Sequence, residues 1–183
     1  MTIKPITSLG YALLGLIRDE PRSGYALRMV FETTPLGNYS SSPGSIYPAL
    51  KALQKMGLVE ARKVSRGSVF HLSASGREAF DAWLSEPMTP EHVAKQMSAV
   101  MLRFAFLHGH PDRSLTVNLL TSLKDSASSH AQGLRAWLDG PGNVMPLQAR
   151  LAVTQGIMSV QSHADWAAHA LTELQKAREE IPS

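Results

Sequence analysis

Between residues 40 and 77 the chain carries Lys51, Lys55, Arg62, Lys63, Arg66 and Arg77 against a single acid, Glu60. Six cations facing one anion give this stretch a net charge of +5, more than the +3 of the whole 183-residue chain. Like charges gathered in a short stretch suit a polyanion, and Lys and Arg are the groups that neutralise phosphates. The plainer reading of such a run is a solvated face. The charge is uneven along the chain: residues 1–86 hold ten Lys/Arg and seven Asp/Glu, whereas residues 87–183 hold eight of each.

Other chemistries are poorly supplied. Cysteine is absent, which excludes disulfide scaffolds, thiolate metal sites, iron–sulfur clusters and cysteine nucleophiles, and agrees with a reducing compartment. Of seven histidines, His108 and His110 stand nearest together, in His108-Gly109-His110-Pro111-Asp112 at a helix–helix junction without a further ligand close in sequence. His163 and His169 are six residues apart, which puts them on different helix faces, unlike the four-residue spacing of zinc-binding helices. Ser126, Ser128 and Ser129 beside His130 read as one exposed helix face. There is no Gly-x-Ser-x-Gly elbow, phosphate-binding loop or paired-carboxylate motif. No catalytic residue, metal or cofactor is expected.

Hydrophobic residues make up 44% of the chain and charged residues 18%, a balance that builds a packed core. The apolar stretch Ile6 to Ile17 runs into Arg18-Asp19-Glu20 without a small-residue cleavage site, and its large residues recur at helical spacing. No apolar run reaches the roughly 20 residues needed to span a bilayer. The expectation is a cytoplasmic protein without a membrane partner.

The basic stretch needs elements to position it. Ser85-Glu86-Pro87-Met88-Thr89-Pro90 ends one helical pattern and divides the chain into domains 1–86 and 87–183. Ile6, Leu9, Leu13 and Leu16/Ile17 form the stripe of a first helix that stops before Pro21. Ser23 caps a second helix with Leu27, Val30 and Phe31 inward, and Ser42 caps a third with Ile46, Leu50 and Leu53 inward and Gly57 at its end. Leu58–Val64 and Ser68–Leu72 read as strands around the tight turn Ser65-Arg66-Gly67, and Ser73 caps a fourth helix carrying Phe80, Trp83 and Leu84. The order helix–helix–helix–strand–strand–helix is that of a winged helix-turn-helix, a mainly α fold with a two-stranded wing. Its third helix enters the major groove, and its wing reaches the neighbouring backbone or minor groove. With Ile46, Leu50 and Leu53 inward, Gly44, Pro48, Lys51 and Lys55 face outward, flanked by Ser45 and Tyr47. Lys51 and Lys55 would neutralise phosphates, with Arg62, Lys63 and Arg66 serving the wing. Pro48 disfavours continuous helix around it, so the helix either begins nearer Ser45 or is kinked in its first turn.

These residues resemble the PadR family of bacterial transcription regulators, named for a regulator of phenolic acid decarboxylase. The resemblance lies in Leu13-Leu14-Gly15-Leu16-Ile17, Pro21-Arg22-Ser23-Gly24-Tyr25-Ala26-Leu27, Ser42-Pro43-Gly44-Ser45-Ile46-Tyr47-Pro48-Ala49-Leu50 and Leu53-Gln54-Lys55-Met56-Gly57-Leu58-Val59. It closes on Phe70-His71-Leu72-Ser73-Ala74-Ser75-Gly76-Arg77, where Phe70 stands for the family's usual Tyr and Ser73 for its Thr. These blocks cover most of residues 9–84, and the family keeps a proline inside its recognition helix, as Pro48 is here. The motif residues Ser23, Tyr25 and Ser42 and the wing-turn Gly67 complete the candidate DNA-contacting set.

Beyond Pro87 the resemblance is one of outline. Val93, Met97, Val100/Met101 and Phe104 make one helical stripe; Leu115, Leu119, Leu123, Leu134 and Leu138 make another between Pro111 and Gly140. In the last helix Val153, Ile157, Val160, Ala164, Ala167, Leu171 and Leu174 alternate steps of four and three, a seam that suits a partner helix. An intramolecular bundle has the same periodicity. The resemblance implies a three-helix dimerisation tail, a homodimer on a pseudo-palindromic operator in double-stranded DNA, and repression as the commoner outcome, although some long-tailed members activate. By the same analogy Met97, Met101, Phe104, Trp137 and Trp166 could line a pocket for a small aromatic effector; at helical spacing they also read as core. The competing reading is a non-enzymatic protein-interaction module on a winged-helix scaffold, whose binding would not depend on salt.

Overall fold

A computed structural model describes residues 5–39, 43–65 and 67–179. It contains two compact units, Met1–Glu86 and Pro87–Ser183.

The first unit opens with helix α1, Ser8–Asp19, capped by Thr7, whose hydroxyl accepts the Gly10 N–H at 3.1 Å. Every residue from Ala12 to Ile17 is buried, so α1 is wrapped on all sides. It packs against helices α3 (Ile46–Lys55) and α4 (Ala74–Leu84) and strand β3 (Gly67–Leu72). Helix α2, Gly24–Thr33, is capped by Ser23, whose Oγ accepts the Ala26 N–H at 3.1 Å, and buries Leu27 and Phe31. After α2 a 3-10 turn spans Pro35–Tyr39.

The wing is wider than two strands. Strand β2, Val59–Val64, pairs antiparallel with β3, and the short strand β1, Arg22–Ser23, pairs on β3's other side through Arg22↔Phe70 and Ser23↔Val69. A two-residue strand has no periodicity of its own, and only the tertiary pairing makes it one.

The junction between α3 and α4 is tied by serines. Gly57 follows α3 at a φ of 72°, the left-handed conformation that glycine adopts without strain. Its carbonyl accepts from Ser73 Oγ at 2.7 Å and from Ser75 Oγ at 3.0 Å. Ser73 also caps α4 by accepting the Gly76 N–H at 2.9 Å, and its own N–H donates to Leu58 O. Against α1, Tyr11 stacks on Trp83 with ring centroids 4.3 Å apart. Burial, with the Glu86 carboxylate adding to it, holds the Tyr11 hydroxyl above its ordinary pKa.

The second unit is helical throughout its regular elements: α5 (Pro90–Lys95), α6 (Met97–Phe106), α7 (Ser114–Asp139) and α8 (Leu147–Glu179). The stripe expected as one helix from Val93 to Phe104 is interrupted at Gln96, which closes α5 and opens α6. Helices α7 and α8 are joined through a 3-10 turn at Pro141–Val144 and pack along each other. Ala127, Ala131, Ala164 and Ala167 are all at most 2% exposed, so small side chains line the packed faces of the two helices. No helix among the described residues is long and apolar enough to cross a membrane.

Candidate nucleic-acid interface

Helix α3 has two unlike faces. Ile46, Leu50 and Leu53 are at most 1% exposed, whereas Tyr47 is 50% exposed and Pro48, Lys51 and Lys55 face solvent. The helix begins at Ile46, after a 3-10 turn over Pro43–Ser45, with Ser45 in the capping position. This decides the question left by Pro48, which becomes the third helical residue. There its missing N–H removes no intrahelical bond, because the first-turn donors have no partner within the helix. Ser45 is half-buried and its side chain makes no cap hydrogen bond; Gly44 is exposed. Ser42, expected as the cap, lies outside the described residues, and the cap position falls to Ser45.

The starts of α2 and α3 meet at Gly24. A Cβ there would stand 2.8 Å from Cε1 of Tyr47, so the Tyr47 ring rests on a bare backbone. Tyr25, the next residue, is 61% exposed. Ser23, Tyr25 and Tyr47 are thereby gathered on the surface where α2 and α3 begin. On the wing, Arg62 and Lys63 are exposed along β2, and Arg62 Nη2 lies 3.5 Å from Glu60 Oε2. Gly67 opens β3 at a φ of 96°; Arg66 before it lies outside the described residues. Arg28 lies outside the basic stretch 40–77, and its guanidinium lies 5.7 Å from the Tyr25 ring centroid. The signal available was its place three residues after Tyr25 in the same amphipathic helix.

The other constellations come apart. Phe104 and Trp166 meet edge-to-face with centroids 5.2 Å apart, and Met97 and Met101 are half-buried. Trp137 does not join them: it is 45% exposed and lies against Gly142 in the turn after α7. A cavity of about 530 Å³ is lined by Asp125, Ser126, Ser129, His130, Gly133 and Leu134 of α7 and by none of these five residues. Within one chain, α7 packs against part of the α8 seam. Val153, Ile157 and Val160 pack with Ala131, Leu134 and Leu138 of α7, and Ala164 and Ala167 are buried within one chain; Leu171 and Leu174 are half-buried. The large apolar side chains left exposed on α8 are Leu147, Leu151 and Met158. Near the start of α7, His110 Nδ1 accepts the Asp112 N–H, and Asp112 accepts from the Ser114 N–H and Oγ. Those two bonds from Ser114 hold the Asp112 carboxyl below its ordinary pKa. The groups do the work of a helix start, and no cluster of three metal-ligating side chains occurs among the described residues.

A buried-core trihelical unit with a paired wing and an exposed basic α3 is a winged helix-turn-helix, the class to which the first unit belongs. Residues 13–82 match the model of the transcriptional regulator PadR-like family. Over 81 residues it is 32% identical to the negative transcriptional regulator PadR of Bacillus subtilis (strain 168); the match takes in 42% of this chain and 44% of that protein. Over longer spans the likeness thins. The crystal structure of Bacillus subtilis PadR in complex with operator DNA matches 93% of this chain and 99% of its own at 24% identity and a TM-score of 0.42. The Vibrio cholerae virulence activator AphA matches 92% and 99% at 20% identity and a TM-score of 0.41.

Proposed function

We propose that this chain is a DNA-binding transcriptional regulator, a repressor that holds a pseudo-palindromic operator as a homodimer and is released by a small aromatic effector. The observation that carries the reading is α3: one face wholly buried, the other presenting Tyr47, Lys51 and Lys55 to solvent, within a domain matched to a regulator family. Lys51, Lys55, Arg62 and Lys63 neutralise phosphates, Ser23 and Tyr25 meet the backbone at the start of α2, and Ser45 and Tyr47 read base edges. Gly44 and Pro48 keep the approach to the helix start free of bulk. Such a protein works beside the chromosome, in the cytoplasm, and needs no catalytic group.

The sign of regulation and the effector class come from the Bacillus subtilis relative, a negative regulator whose crystal structures include complexes with operator DNA and with p-coumaric acid. In the dimer, Leu147, Leu151 and Met158 are the α8 side chains free to meet a second chain, since α7 already covers Val153, Ile157 and Val160. Phe104 and Trp166 are the aromatic pair retained for the effector.

The test is duplex binding, with the DNA flanking the protein's own gene, across a range of salt. Binding falls steeply with salt in the wild type, and Lys51→Ala lowers the log–log slope by about one unit for one lost phosphate contact. Ser45→Ala changes the preference among duplexes and leaves the slope. Salt-independent association, or none, rejects the reading in favour of a protein-docking module.

A further inference from the structure

Arg28 lies outside the basic stretch on which the proposed interface rests. It stands three residues after Tyr25 in α2, a spacing that puts both side chains on one helix face. Its guanidinium carbon is 5.7 Å from the Tyr25 ring centroid, within the ~6 Å reach of cation–π attraction. Helical side chains lean toward the N-terminus, so Arg28 reaches back along α2 toward Tyr25 and the Ser23 cap. That end of the helix favours anions, because its first N–H groups point outward and the dipole is positive there.

Arg28 also pairs with Glu32. Its Oε1 lies 3.2 Å from Arg28 Nε, with both side chains about one-third exposed. The Nε, itself buried, nevertheless makes no hydrogen bond, so this is an ion pair of poor alignment between side chains that are partly exposed, the kind that holds weakly. A guanidinium stacked on an aromatic face keeps its planar fork of donors available for bidentate pairing with a phosphate.

We propose that Arg28 is a further phosphate-binding residue of the DNA interface, oriented by the Tyr25 ring and parked on Glu32 until a backbone phosphate takes the carboxylate's place. The proposal rests on the DNA-binding reading above and adds one phosphate contact on α2 to those of α3 and the wing. Glu32 then acts as a competing anion, so its removal and that of Arg28 move affinity in opposite directions.

The experiment measures duplex binding by the full chain over a salt series for wild type, Arg28→Gln, Arg28→Lys and Glu32→Gln, with thermal melts of each. Arg28→Gln lowers the log–log salt slope by about one unit. Arg28→Lys keeps the slope, since a lysine still neutralises the phosphate. Glu32→Gln tightens binding several-fold at low salt without changing which duplex is preferred. A wild-type slope retained by a well-folded Arg28→Gln overturns the proposal, as does an equal fall for the Gln and Lys variants, which would mark a packing role. Unchanged affinity in Glu32→Gln overturns it too. These outcomes leave the α3 interface standing; a wild type that binds no duplex in a salt-dependent way removes that reading and the Arg28 contact together.

Discussion

A Cβ added at Gly76, in the N-terminal unit, would collide with the carbonyl oxygen of Leu58; one added at Gly133, in the middle of α7, would meet nothing within 4 Å. The contrast extends to how the two units are built. In the first, short elements distant in sequence approach closely: Gly76 lies against the Leu58 carbonyl, the Tyr47 ring rests on Gly24, and the Gly57 carbonyl accepts from Ser73 Oγ. Particular residues at particular positions hold it together. In the second, long helices lie along each other on alanine and leucine, and several small apolar residues could serve at each contact. The first architecture leaves motifs in a sequence and the second leaves only periodicity. The family match accordingly falls at residues 13–82.

The largest expected effect breaks the first unit at its tightest approach. Gly76→Ala forces α4 away from Leu58 and costs more than ~3 kcal/mol, as overpacking against rigid backbone does; chemical denaturation reads it directly, and a loss below 1 kcal/mol would mean that the approach is slack. Next comes Ser73→Ala, which removes both the α4 cap and one of two hydroxyl bonds to Gly57. It costs about 1–2 kcal/mol, measured the same way, with Ser75 retaining the second bond. The smallest effect has the opposite sign. Gly133→Ala adds a methyl in open space on an exposed helix position and stabilises by up to ~1 kcal/mol. A rise in melting temperature sharpens the contrast, and a fall would show that a second chain lies over that face of α7.

Legibility followed the same division. Ser23 and Ser73 were readable as caps because a hydroxyl before an amphipathic run has one favourable use, and both accept the expected N–H. The inward row Ile46, Leu50 and Leu53 was readable from spacing alone. The start of α3 was not, because Pro48 fits either a kinked helix or a late one, and only the 3-10 turn over Pro43–Ser45 decides between them. Strand β1 exists through its pairing with Phe70 and Val69 and through nothing local. The α8 seam was visible as a seam, yet steps of four and three are the same whether the covering helix belongs to this chain or to another. Helix α7 covers it. Trp137 was grouped with Trp166 by residue type, and type says nothing of distance between two helices.

The two serine hydroxyls on the Gly57 carbonyl have a kinetic meaning. Fraying usually begins at a helix end, one hydrogen bond at a time. Here Ser73 and Ser75 tether the carbonyl just beyond the last turn of α3, and Ser73 holds the first turn of α4 by the same oxygen. Opening at the end of one helix is therefore expected to be coupled to opening at the start of the other, which amide hydrogen exchange would show as matched rates. The helix that presents Tyr47 and Lys51 is thereby tied to the start of α4.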